Sequence, residues 1–161
     1  MRCISCPSDK QMKAERITTK YKEGGLENVI LIGVEHFRCT SCGEEYFGYG
    51  DVEQLNRLIT SLLIEKPELS GKEARFLRVQ LGYSSAMFAE KVGVRKETLS
   101  RYENGKPIPV QFQIMLKALA ASSLPYRDYD LHNAILARKG RDFPEFRLEP
   151  RRGEWTLKKT A

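Results

Sequence analysis

The sequence predicts an α+β chain: a small β-rich N-terminal domain organised by four cysteines, an all-α domain after it, and a C-terminal extension. Three observations carry the prediction. All four cysteines fall into two CxxC pairs, Cys3-Ile4-Ser5-Cys6 and Cys39-Thr40-Ser41-Cys42. The residues between and just after the pairs are rich in β-branched and aromatic side chains. From Asp51 onward, apolar residues recur at helical spacing between capping and turn residues.

The cysteines read as one tetrahedral four-cysteine metal site. Each CxxC turn presents two thiolates to one side of an ion, and two such turns complete the coordination. The expected metal is Zn2+, one per chain and structural, because four thiolates leave no open position for substrate. Iron in the same site is the alternative. So short a segment has little apolar core, and a structural zinc supplies ~10–16 kcal/mol of folding free energy in small peptides. Met1-Arg2-Cys3 runs straight into the motif without an apolar leader, so a secreted disulfide framework is not expected. A thioredoxin-like redox pair would need only one CxxC. His36 is a fallback ligand, with an ordinary strand histidine as the plainer reading.

In the first domain, residues 1–50, Arg16 to Tyr21 and Val29 to Val34 read as strands, joined by a turn at Gly24-Gly25. Gly43 suits the positive φ that follows a metal knuckle, and Glu45-Tyr46-Phe47 adds a short strand. Residues 51–67 read as a connecting helix. Asp51 caps it, Leu55, Leu58, Ile59, Leu62 and Leu63 form its stripe, and it stops before Pro67.

Residues 68–121 read as a helical domain. Ser70-Gly71-Lys72-Glu73 is a capping box that starts a helix ending at Gly82. Ser84-Ser85 opens a second helix through Val92, and Gly93-Val94 makes a tight turn. Arg95 to Glu103 forms a third helix closed by Asn104-Gly105. Pro107 and Pro109 introduce a fourth, from about Val110 to Ala121. The central pair has the pattern of a DNA-binding helix-turn-helix. Ala89 is small where the helices cross, Gly93 sits at the turn, and Phe88, Val92, Val94, Leu99 and Tyr102 supply a shared core. An ordinary helical hairpin would carry no particular chemistry on its exposed face. Here that face carries donors and acceptors fit for base edges and phosphates: Arg95, Lys96, Glu97, Thr98, Ser100, Arg101 and Asn104, with Ser85 at the start of the preceding helix.

The stretch Leu99-Ser100-Arg101-Tyr102-Glu103-Asn104-Gly105-Lys106 resembles the third helix of the lambda-repressor-like (XRE) family. Joined to the CxxC pairs, the arrangement over residues 1–121 resembles the MqsA-type (YgiT-type) antitoxins. The resemblance implies an N-terminal zinc domain that neutralises a co-encoded toxin, typically an RNA-cleaving enzyme. It also implies a C-terminal helix-turn-helix that dimerises on double-stranded operator DNA and represses transcription. Cys3, Cys6, Cys39 and Cys42 match the family's zinc ligands, Arg101 its base-contacting arginine, and Lys96-Glu97 its other reading positions. Two positions depart from the pattern. Ser85 stands where the XRE family often has Gln, and Glu97 stands where the MqsA type favours an amide. Glutamate can accept from cytosine N4 but cannot make the amide's paired contact to adenine, so a different operator is expected. A Glu97 that touches no base is the alternative.

The formal net charge is +6. Residues 1–50 hold seven Lys/Arg against seven Asp/Glu, so the excess lies in the remainder, where a polyanion would bind. No apolar run suits a membrane span, and a cytoplasmic protein is expected. Nothing resembles an enzyme: HExxH and Walker patterns are absent and both histidines are isolated. Residues 122–161 fall outside the resemblance. Leu131, Ile135 and Leu136 have helical spacing there, Arg138-Lys139-Gly140-Arg141 is basic, and Pro144, Pro150 and Trp155 follow. The segment is expected to be partly helical or disordered, with a loose electrostatic role. A stand-alone regulator of the same build, without a toxin, shares every one of these motifs.

Overall fold

The computed structural model describes residues 2–6, 11–124 and 145–158. The chain forms two compact units: Met1–Tyr21, Glu27–Gln54 and Glu145–Ala161 make one, and Lys22–Leu26 with Leu55–Pro144 make the other.

The first unit is a five-stranded sheet. Strand β1 (Lys13–Lys20) lies antiparallel to β2 (Val29–Arg38), with Lys13 opposite Arg38 and Lys20 opposite Ile30. The C-terminal half of β2 pairs antiparallel with β3 (Glu45–Gly48), Arg38 facing Glu45. Gly33, at φ +75°, is the extra residue of a bulge, since Ile17 faces Val34 while Thr18 faces Ile32. The bulge shifts the strand's alternation by one. Val29 and Leu31 before it and Val34 and His36 after it are consequently all buried, which strict alternation would not allow.

The remaining two strands come from the C-terminal region. Strand β4 (Phe146–Arg151) pairs parallel with the start of β2, Val29 opposite Phe146 and Leu31 opposite Leu148. It turns through Arg152-Gly153, both at positive φ, into antiparallel β5 (Glu154–Leu157). This corrects the expectation of a partly helical or disordered extension: over Phe146–Leu157 the chain is a hairpin that completes the N-terminal sheet. Phe146, Leu148 and Trp155 are buried. The Trp155 indole N–H donates to the Tyr49 carbonyl at 2.8 Å. Gln54 brackets the Trp155 backbone as a neighbouring strand would, accepting from its N–H at 2.9 Å and donating to its carbonyl at 3.1 Å. Pro150 is tolerated because the β2–β4 ladder has already ended at Leu148. The expectations for Leu131, Ile135, Leu136, Arg138 to Arg141 and Pro144 fall outside the described residues.

The second unit is helical. Helix α1 (Val52–Glu65) begins where Asp51 Oδ1 accepts from the Gln54 N–H at 2.9 Å, and its Leu55, Ile59, Leu63 and Ile64 are fully buried. Helices α2 (Gly71–Gln80), α3 (Ser85–Val92), α4 (Lys96–Glu103) and α5 (Val110–Ser123) follow. The capping box of α2 is formed in both directions: Ser70 Oγ accepts from the Glu73 N–H at 3.3 Å, and Glu73 Oε2 from the Ser70 N–H at 2.6 Å. Glu73 is fully buried, and Lys66 Nζ neutralises it at 2.8 and 3.0 Å. Among the described residues no helix is long and apolar enough to cross a membrane.

Candidate nucleic-acid interface and metal centre

The four cysteines come together although 32 residues of chain separate the pairs. Their sulfurs lie within 4.8 Å of one another, with Cys3 Sγ 3.6 Å from Cys42 Sγ and Cys6 Sγ 3.7 Å from Cys39 Sγ. None is in a disulfide. Tetrahedral coordination at a Zn–S length of ~2.3 Å places sulfurs ~3.8 Å apart, so the short pairs already have ligand spacing. The backbone shapes the second knuckle. The Cys39 N–H donates to the Glu44 carbonyl at 2.9 Å, and the Gly43 N–H to the Cys39 carbonyl at 3.0 Å, with Gly43 at φ +77°. Met12, Phe37 and Tyr46 pack around the cluster.

The electrostatics favour a cation. Backbone N–H groups of Cys42, then Ser41, aim at the Cys39 sulfur and lower its pKa to about 6, which favours the thiolate form. For Cys42, the Glu44 backbone N–H pulls the pKa down. Cys6, burial, Cys39 and Cys3 together push harder, raising it to about 12. Four sulfurs this close hold one anion readily and resist a second until a cation compensates them. His36 stands apart from this set. Its Nδ1 is 3.1 Å from Glu15 Oε1, and its ring stacks on Phe47 at 5.0 Å.

In the helical unit the turn between α3 and α4 follows directly from local chemistry. Ser84 caps α3, its Oγ accepting from the Met87 N–H at 3.2 Å. Gly93 ends α3 in the left-handed region at φ 71°, ψ 27°, and the Val94 N–H donates to the Ala89 carbonyl at 3.0 Å. Phe88, Ala89 and Leu99 are buried where the two helices meet, and Phe112 of α5 contacts the rings of both Phe88 and Tyr102, at 6.2 and 5.3 Å.

The orientation of α4 has a polar lock that sequence reasoning missed. Arg78 of α2 grips Glu103 with two hydrogen bonds, Nε to Oε1 at 2.6 Å and Nη2 to Oε2 at 3.0 Å. Its third nitrogen donates to the Tyr83 carbonyl at 2.6 Å. Both side chains are buried, so each charge depends on the other. A signal existed: Arg78 follows Ala74 by four residues and Glu103 follows Leu99 by four, placing a charge on each buried stripe.

The sequence-selected contact residues separate into three groups. Lys96, Glu97, Ser100 and Arg101 are exposed along one side of α4, and Arg95 is exposed at its N-cap, where its side chain makes no capping bond. Among the described residues, Arg95, Lys96, Glu97 and Arg101 make no ion pair. Thr98 and Ser85 are half-buried, and Ser84 rather than Ser85 caps α3. Asn104 is exposed but turns back on its own helix, Nδ2 donating to the Ser100 carbonyl at 2.7 Å and to Ser100 Oγ at 3.3 Å.

Comparison with known proteins decides the class of the helical unit. Residues 75–119, from within α2 to within α5, match the family model described as Helix-turn-helix. They form an XRE-type helix-turn-helix domain. The match gives the chain the build of a DNA-binding transcription regulator, and the α3–turn–α4 pair lies wholly within the matched residues. No curated protein and no solved structure matches the chain.

Proposed function

We propose that this protein is a transcriptional repressor that binds operator DNA as a homodimer and serves as the antitoxin of a type II toxin–antitoxin pair. The DNA-binding half of the reading rests on α4. Its exposed side carries Arg95, Lys96 and Arg101, none of them in an ion pair among the described residues, within a helix-turn-helix match. A motif of this size reads only a few base pairs, so two copies on a near-palindromic site, with centres ~10 base pairs or a multiple apart, give useful specificity. The antitoxin half rests on the pairing of a four-cysteine cluster with an XRE-type helix-turn-helix in that order. The cysteine cluster holds one structural zinc, and with four thiolate ligands it has no place for a substrate. The protein is not an enzyme and works in the cytoplasm.

The test of the first half is Arg101→Ala. A bidentate arginine–guanine contact contributes roughly 1–3 kcal/mol of discrimination, so the variant should weaken cognate DNA and relax preference at one base. Equal weakening on cognate and scrambled DNA would make Arg101 a phosphate anchor instead. The test of the second half is co-expression with the adjacent small reading frame. A stable complex and relief of toxicity support the antitoxin. A protein that represses its operator and captures no neighbour is the stand-alone regulator.

A further inference from the structure

Hydroxyl side chains inside helices usually donate back to the preceding turn. Four here do so: Thr60 to the Asn56 carbonyl at 2.8 Å, and Ser61, Ser122 and Ser123 to the Leu58, Leu119 and Ala120 carbonyls at 2.7 Å each. Ser100 does the reverse. Its Oγ receives a hydrogen bond from Asn104 Nδ2 at 3.3 Å. The assignment of nitrogen rather than oxygen at this position is forced. The same atom is 2.7 Å from the Ser100 carbonyl, which can only accept. One lone pair of the hydroxyl is therefore engaged, and its proton has no acceptor among the described residues. Both side chains are exposed, Ser100 next to Arg101 and one turn beyond Lys96.

A free serine hydroxyl can donate or accept, and so discriminates poorly between base edges. One whose oxygen already accepts from a neighbouring amide has one of its two lone pairs occupied, which biases it towards donating its proton outward. We propose that Ser100 is a donor-polarised specificity residue for an acceptor on a base edge in the major groove (purine N7, guanine O6 or thymine O4), and that Asn104 is the positioning residue that sets the polarity. This rests on the DNA-reading role proposed for α4. It also reassigns Asn104, which touches Ser100 rather than DNA in this arrangement.

The experiment uses the full-length protein and a duplex selected by it from a random-sequence library. Each base pair of the selected duplex is replaced in turn by an acceptor-deleted analogue: 7-deazapurines for N7, 2-aminopurine for guanine O6, and 5-methyl-2-pyrimidinone for thymine O4. One neutral hydrogen bond corresponds to about three- to tenfold in affinity. Wild type should lose that factor at one position. Ser100→Ala should bind the selected duplex more weakly by a similar factor and be indifferent to that substitution, and Ser100→Thr should restore the difference. Asn104→Asp is the decisive variant. Its carboxylate accepts a hydrogen bond from the Ser100 hydroxyl and turns that donor away from DNA, so the ratio between intact and acceptor-deleted duplex should fall to that of Ser100→Ala although the serine is still present. Taking the ratio cancels any general repulsion of the new charge by phosphate. An Asn104→Asp protein with the wild-type ratio overturns the positioning role. A Ser100→Ala protein that loses affinity equally on every acceptor-deleted duplex, with its difference from wild type vanishing only when one phosphate is replaced by a methylphosphonate, shows a phosphate contact and overturns the base-reading role. Should the wild type enrich no duplex, the DNA-reading proposal itself fails and this one with it. If it enriches one, and Arg101→Ala weakens it while Ser100→Ala does not, this proposal alone fails.

Discussion

Deleting Glu145–Ala161 should unfold the sheet of the first unit although every cysteine remains in the chain. The deletion removes β4 and β5, and with them Phe146, Leu148 and Trp155, which are 1%, 0% and 5% exposed. Burial of a large apolar side chain contributes roughly 1.5–3 kcal/mol, so the three together contribute about 5–9 kcal/mol. Three hydrogen bonds centred on Trp155 are lost as well, at roughly 1 kcal/mol each. Val29 and Leu31, now fully buried, would face solvent along a half-open edge. The sum is comparable with the roughly 5–15 kcal/mol that stabilises a whole domain. Hydrogen exchange at the amides of Val29 to Val34, followed in the intact and deleted chains, reads the effect directly. Metal content should be measured on the same samples, because retained zinc with an unprotected sheet would separate the knuckles from the strands. Trp155→Phe serves as the mild control: it keeps most of the apolar area, loses the bond to the Tyr49 carbonyl, and should cost about 1 kcal/mol. Unchanged protection of Val29 to Leu31 in the deleted chain, with an unchanged melting temperature, would refute the reasoning and make the hairpin a passive appendage.

Three further outcomes are expected. Gly71→Ala should destabilise the helical unit by roughly 1–3 kcal/mol in denaturant titration, because a Cβ there would collide with the Tyr102 carbonyl and lie 2.7 Å from the Glu103 carbonyl; operator affinity should fall with it, since both carbonyls belong to α4. Lys117 is buried, with its Nζ donating to the Lys66 and Pro67 carbonyls, and burial lowers its pKa below 10.5. As pH rises through that lowered value towards 10.5, the folded state sheds the proton first, so stability rises relative to neutral pH. Lys117→Met should flatten this rise in melts taken from pH 7 to 10.5. Cys39→Ser should abolish binding of one zinc per chain and raise hydrogen exchange around Met12, Phe37 and Tyr46, which pack on the cluster; a variant that keeps those amides protected would show that the metal is not structural.

The parts of this protein legible in the sequence are those whose cause is local. A CxxC turn needs only four consecutive residues to aim two sulfurs, so the four-cysteine cluster could be read before any fold was known. The same holds for the Ser70 capping box, the Gly93 turn and the apolar stripe of α1. Each is fixed by neighbours within a helical turn. The helix-turn-helix combined several such local signals and was readable for that reason.

Tertiary structure decided what lies between distant segments. The alternating Phe146-Arg147-Leu148 pattern suits a strand, but its parallel partner lies more than a hundred residues earlier and no local signal names it. The Gly33 bulge shows its effect only in the assembled sheet, where Val29 and Leu31, paired with β4, and Val34 and His36 on the other side of the bulge are all buried. Arg78 and Glu103 look like surface charges until α2 and α4 are packed, when desolvation makes each require the other. Asn104 has the composition of a base reader, and only the backbone at the end of α4 turns its amide onto Ser100. Local chemistry therefore settles which elements and ligands form. Long-range packing settles which polar groups are left free to meet a partner, because burial and pairing depend on residues the local sequence does not contain.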